Sequence, residues 1–188
     1  MTIAYFDCFA GISGDMALGA LIDAGAERAL LDATVEALRL GDEVNIDVRH
    51  ETRGHVGGIR VVVETVDRVE RTIPALRAVV EEADAPAPVK ASVLDAINRL
   101  ARAESKVHSL PEEQLHLHEL GGADTLVDLT GAFWLLHGLE VDQVYASPLP
   151  APRGRKGDMP LPGPASVRVL EGSGAIFEAT VGCLKDRA

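Results

Sequence analysis

Cysteine is nearly absent: Cys8 and Cys183 are the only thiols in 188 residues. Two thiols so far apart make no disulfide framework, and no C-x-x-C pair offers zinc ligands or a redox couple. The reducing cytoplasm is therefore the expected location. Aromatic residues make up 4% of the chain, too few for a base-stacking surface. Positive charge is also short. Eighteen Lys and Arg face 29 Asp and Glu, a formal net charge of −11, which opposes binding to nucleic acid or an anionic membrane. Long apolar runs are missing too: the longest, around residues 129–136, falls well short of the roughly 20 residues that cross a bilayer. The opening residues carry no basic n-region and read as a strand rather than a signal peptide.

What remains is a folded globular composition, 47% hydrophobic and 25% charged. The opening residues 2–7 predict a short strand ending on Asp7, followed by a Gly/Ser loop and a helix over 14–24 with Ser13 as its cap. A second helix is expected over 28–38. Strands at 44–48 and 59–63 are expected to be joined by a Gly-rich connection at 54–58. Thr72 and Pro74 open a helix to about 83, and the most legible helix covers 89–108. Its face runs through Val93, Ile97, Leu100 and Ala101, so Glu104 and His108 stand where that face continues. A helix over 124–137 and a strand at 143–147 follow. Strands and helices interleave, which predicts an α/β or α+β fold: a small mixed sheet flanked by several helices in a single domain.

Three constellations carry possible chemistry. The first is Asp7-Cys8-Phe9-Ala10-Gly11-Ile12-Ser13-Gly14-Asp15-Met16. A strand, a glycine loop and a helix start together offer backbone N–H groups at Gly11, Ser13 and Gly14 for an anionic cofactor. Asp7, at a strand end, and Asp15, at the helix start, are the candidate catalytic carboxylates; Cys8 reads as a small buried hydrophobe. No Lys-Ser/Thr follows, so this is not a P-loop. The second is His116, His118 and Glu119, followed by Asp124 and Asp128 and preceded by His108. In an extended segment His116 and His118 share one side while Leu115 and Leu117 pack on the other. Asp124 and Asp128, four apart, share a helix face. Imidazole with carboxylate suits first-row divalent metals. The third is Arg153, Arg155 and Lys156 in a glycine loop, an anion or cofactor grip to which Arg53 and Arg60 can add. Two other readings stay open on these residues: a stand-alone metal-dependent hydrolase, and a non-catalytic assembly module with structural histidines.

The Asp7-to-Met16 run resembles the opening signature of the nickel-pincer cofactor nickel insertion family. Lys106-Val107-His108, His116-Leu117-His118-Glu119-Leu120-Gly121, the run over 124–132 and Tyr145-Ala146-Ser147-Pro148-Leu149-Pro150 are similar to it in order and spacing. The resemblance covers residues 1–170, with 171–188 a divergent tail. It implies a nickel chelatase of the lyase class, serving lactate racemase maturation, that delivers Ni2+ to pyridinium-3,5-bisthiocarboxylic acid mononucleotide. It also implies CTP with Mg2+ or Mn2+, bound by a C-terminal half that acts as partner to this part. A homo-oligomer is left open. The chain departs from the family pattern at 66–72, which has no histidine tract, and at Gly157-Asp158-Met159-Pro160-Leu161-Pro162, which lacks the usual histidine. Typical members are about twice as long, so nickel insertion is expected to need that other half, docking near residues 160–170.

Overall fold

A computed structural model of the chain describes residues 1–66, 69–115, 117–151, 154–157 and 159–179, with 118, 119, 156, 159 and 179 described by backbone alone. In chain order its elements are β1 (Ile3–Phe6), α1 (Gly14–Asp23), α2 (Ala29–Ala37), β2 (Val44–Arg53), β3 (Val56–Thr65), α3 (Ile73–Glu82) and α4 (Ala87–His108). After the 3-10 turns Glu112–Gln114 and His118–Gly121 come α5 (Ala123–Gly138), β4 (Gln143–Ala146), β5 (Leu149–Ala151), β6 (Gly154–Lys156), β7 (Met159–Leu161), α6 (Pro164–Val169) and β8 (Phe177–Ala179). The fold is mixed α/β, as the interleaving predicts. Its strands pair in twos among the described residues, and the contacts fall into two compact units, Ser13–Val141 and Met1–Ile12 with Asp142–Ala188.

The larger unit is built around α5, which packs against α1, α2, α4 and β3. Leu18, Leu31, Ile97, Leu126 and Leu135 are fully buried there, each contributing about 1.5–3 kcal/mol by leaving water. The α4 face follows the expected phase: Val89, Val93, Ile97 and Ala101 are buried at four-residue steps. Thr72 caps α3, its hydroxyl accepting the Ala75 N–H at 3.4 Å, with Pro74 in the first turn. The β2–β3 ribbon is longer than the pattern predicts. Only Gly54 and His55 form its turn, with Gly54 at φ 63. Gly57 and Gly58 belong to β3, opposite Thr52 and Glu51. A two-residue turn with glycine at positive φ suits an antiparallel hairpin, which leaves the other glycines free to enter the ladder. Helix α1 lies close against this ribbon, because a Cβ on Gly19 would come within 2.5 Å of the Ile59 carbonyl oxygen.

The smaller unit holds parallel β1–β4, parallel β5–β8 and the β6–β7 hairpin. Strand β8 lies beyond residue 170, so the segment expected to be a tail contributes a strand to this unit. Within the stretch expected to dock a partner, Val167 on α6 is exposed.

Candidate functional site

The ten-residue motif is divided between the two units: Asp7, Cys8 and Gly11 belong to the smaller, Ser13, Gly14 and Asp15 to the larger. Asp7 is exposed just past β1. Cys8 is buried, and its backbone N–H donates to the Ser147 hydroxyl at 2.7 Å. Burial, and then the Asp7 charge, push the Cys8 thiol up, which keeps it protonated at neutral pH. The reading of Cys8 as a small hydrophobe fits this environment. Cys183 lies outside the described residues.

In the larger unit the first turn of α1 meets α5. Ser13 is the N-cap in extended conformation, but its hydroxyl donates to the Asp15 carboxylate instead of capping the helix. Gly14 lies directly against Asp128: a Cβ on Gly14 would fall 2.0 Å from Asp128 Oδ2 and 2.6 Å from its Cβ. Asp128 Oδ1 is buried and has no hydrogen-bond partner. Desolvation, followed by the charges of Asp15 and Asp124, pushes the Asp128 carboxyl up to about 7. Asp124, one turn earlier on α5, accepts the Thr125 N–H at 2.9 Å. Three of the candidate residues, Asp15, Asp124 and Asp128, are thus brought into electrostatic contact, and Asp128 is poorly solvated.

The histidine segment leads directly into the N-terminal end of α5. Leu115 and Leu117 are buried as expected. The segment is not a continuous strand, however: Leu117 is helical (φ −80, ψ −5) and begins the His118–Gly121 turn. The extended run therefore stops at Leu117, and the turn brings Gly121 so close to Arg71 that a Cβ there would fall 2.7 Å from its carbonyl oxygen. This turn is pinned by Arg71, whose backbone N–H donates to the Gly121 carbonyl at 2.9 Å. His116 lies outside the described residues, as do the side chains of His118 and Glu119. At the end of α4, Glu104 and His108 pair at 3.3 Å, with the Glu104 side chain 12% exposed and the His108 ring 51%. Continuing the apolar phase thus places Glu104 inward and the histidine at the rim. Among the described residues, no three His, Cys, Asp or Glu side chains stand close enough to hold one metal ion.

Arg71 holds the turn through its side chain as well. It donates to both Glu43 carboxylate oxygens, at 2.6 and 2.7 Å, and is 11% exposed. Glu43→Ala should therefore lower stability by about 1–2 kcal/mol, since it strands a shielded guanidinium. Urea unfolding checks this, and an unchanged midpoint would show the pair to be dispensable.

Beside the acidic trio lies a cleft of about 420 Å3 between α1 and the ribbon, lined by Ser13, Asp15, Met16, Glu51, Arg53 and Arg60 among others. Glu51 accepts from Arg53 Nε at 2.8 Å and Arg60 Nη1 at 2.9 Å, and these bonds hold its carboxyl down at about 2. Sequence reasoning placed Arg53 and Arg60 as helpers and missed Glu51. The alternating Asp47, Arg49, Glu51, Arg53 along one strand face was the available signal. In the smaller unit, Arg155 and the Lys156 backbone sit on β6, and Arg153 lies outside the described residues.

The chain matches the family model described as Nickel insertion protein over residues 4–183. It is 42% identical over 175 residues to a Desulfotalea psychrophila protein named "Putative nickel insertion protein", across 90% of this chain and 45% of the relative. A Roseiflexus castenholzii protein of the same name is 41% identical over 180 residues, covering 92% and 45%. A Desulfitobacterium hafniense protein named "Pyridinium-3,5-bisthiocarboxylic acid mononucleotide nickel insertion protein" is 36% identical over 177 residues, covering 92% and 44%. The chain therefore spans about 45% of the length of these relatives. No solved structure matches it.

Proposed function

The chain belongs to the nickel insertion protein family, and from that premise we propose that it is the metal-handling part of a protein that inserts Ni2+ into a pyridinium bisthiocarboxylate mononucleotide. The observation that carries this is Asp128: a buried carboxylate oxygen without a partner, on a side chain crowded by Asp15 and Asp124. Such a group lacks a counter-cation, and a divalent ion would relieve both the repulsion and the orphaned oxygen. Asp124 and Asp128 are assigned to nickel together with His108, His116, His118 and Glu119, because mixed imidazole and carboxylate donors suit this ion. Asp7 and Asp15 keep their assignment as candidate catalytic carboxylates. Gly11, Ser13, Gly14, Arg153, Arg155 and Lys156 remain candidates for holding the anionic cofactor. CTP with Mg2+ or Mn2+ is assigned to the remaining length of the relatives, and the cytoplasm is the expected compartment.

Calorimetric titration of the purified chain with Ni2+ tests this reading. Binding is expected at pH 7.5, should weaken below about pH 6 as histidines protonate, and should fall by at least ~10-fold in His118→Ala or Asp128→Asn. The chain alone should not insert nickel when given CTP. Nickel binding unchanged in both variants would overturn the assignment.

A further inference from the structure

We propose that the cleft between α1 and the β2–β3 ribbon binds a pyridinium mononucleotide, with Arg53 and Arg60 taking its phosphate and Asp15 facing its cationic ring. The identity of the ligand rests on the nickel-insertion reading; the anion grip rests on the cleft itself. Glu51 engages Arg53 only through Nε and Arg60 only through Nη1. Both terminal nitrogens of Arg53, and Nε and Nη2 of Arg60, keep their N–H groups without a hydrogen-bond partner among the described residues. The shared carboxylate holds two guanidinium forks side by side before any ligand arrives. That lowers the ordering cost of a bidentate phosphate grip. The side chains of Arg53 and Arg60 are 72% and 41% exposed, so an anion can reach them.

The rest of the cleft suits the other end of such a molecule. Its volume of about 420 Å3 lies within the range of small-molecule sites. Gly57 and Gly58 leave part of the wall bare, and a Cβ on Gly58 would meet nothing within 4 Å. Met16 and Val56 supply apolar surface for a flat ring. Asp15 lines the same cleft and also acts on Asp128, so a ring held beside it would lie next to the acidic trio. Two arginines and Asp15 in one lining match a zwitterion with a phosphate and a pyridinium.

The test compares two probes by calorimetry on the full chain: nicotinic acid mononucleotide, and its riboside without the phosphate. The mononucleotide should bind roughly 10-fold tighter, as expected when charge-assisted bonds to the phosphate are made. Arg53→Ala with Arg60→Ala should erase that preference while circular dichroism stays unchanged. Gly58→Leu, which fills free space without touching the core, should weaken both probes at least ~10-fold. Equal affinity for the two probes, or a preference that survives loss of both arginines, overturns the site. Nickel titration of the same samples separates this proposal from the reading beneath it. Nickel binding without phosphate discrimination sinks the cleft alone; arginine-dependent mononucleotide binding without nickel binding sinks the nickel reading and leaves the cleft standing.

Discussion

At pH 8, Asp128→Asn should make the folded chain more stable by about 1–2 kcal/mol, and at pH 4 it should change stability little. The direction follows from the raised carboxyl. Asp128 titrates near 7 in the folded chain, against an ordinary value of 3.8. Below about pH 4 it is protonated whether the chain is folded or not, and it costs nothing. Between about 4 and 7 the unfolded chain gives up the proton while the folded chain keeps it, so stability falls as pH rises. Above 7 the folded state carries the full penalty of a poorly solvated charge beside Asp15 and Asp124. The figure is well below the full equivalent of that shift, because part of the side chain is still hydrated. Asparagine keeps the shape and removes the charge. Urea midpoints for both proteins at pH 4 and pH 8 check this, and equal differences at the two pH values would mean that Asp128 is not strained. The same substitution should weaken nickel binding by at least ~10-fold, since a cation that displaces the proton is what the strained carboxylate favours. A residue that weakens the fold at working pH while serving the site is a familiar exchange of stability for function.

Gly14→Ala should cost about 3 kcal/mol or more, the largest single loss expected here. The added methyl would lie 2.0, 2.3 and 2.6 Å from Asp128 Oδ2, Cγ and Cβ. A carboxylate tip can rotate away, but the Asp128 Cβ is fixed to α5, so relief requires α1 and α5 to separate. Those helices share the core through Leu18, Leu126 and Leu135, and separating them exposes it. The double variant Gly14→Ala with Asp128→Gly removes the obstructing atoms. Its loss should be clearly smaller than the sum of the two single losses, the sign of direct coupling. Additive losses in denaturant unfolding would show that the close approach does not govern this contact.

Several elements were readable because their signals are local. The α4 face at Val89, Val93 and Ile97 follows from helical spacing, and the same spacing put Glu104 on the shielded side. The α3 start follows from Thr72 and Pro74, whose effects act within one turn. The ribbon turn was harder: three glycines within residues 54–58 left its length ambiguous until the ladder placed Glu51 opposite Gly58. The extended backbone expected through residues 115–118 gives way at Leu117, which is helical and opens the His118–Gly121 turn.

By itself the sequence determined most of the element types up to β4 and the family signature, since periodicity, caps and motif spacing are properties of neighbours along the chain. Only the tertiary structure decided that Asp15 comes to Asp124 and Asp128, that Gly14 must be glycine, and that Glu51 clamps two arginines beside α1. Each of these depends on how helices and ribbon pack. Packing distance is set by side-chain volumes summed over a whole interface, a quantity that no short stretch of sequence contains.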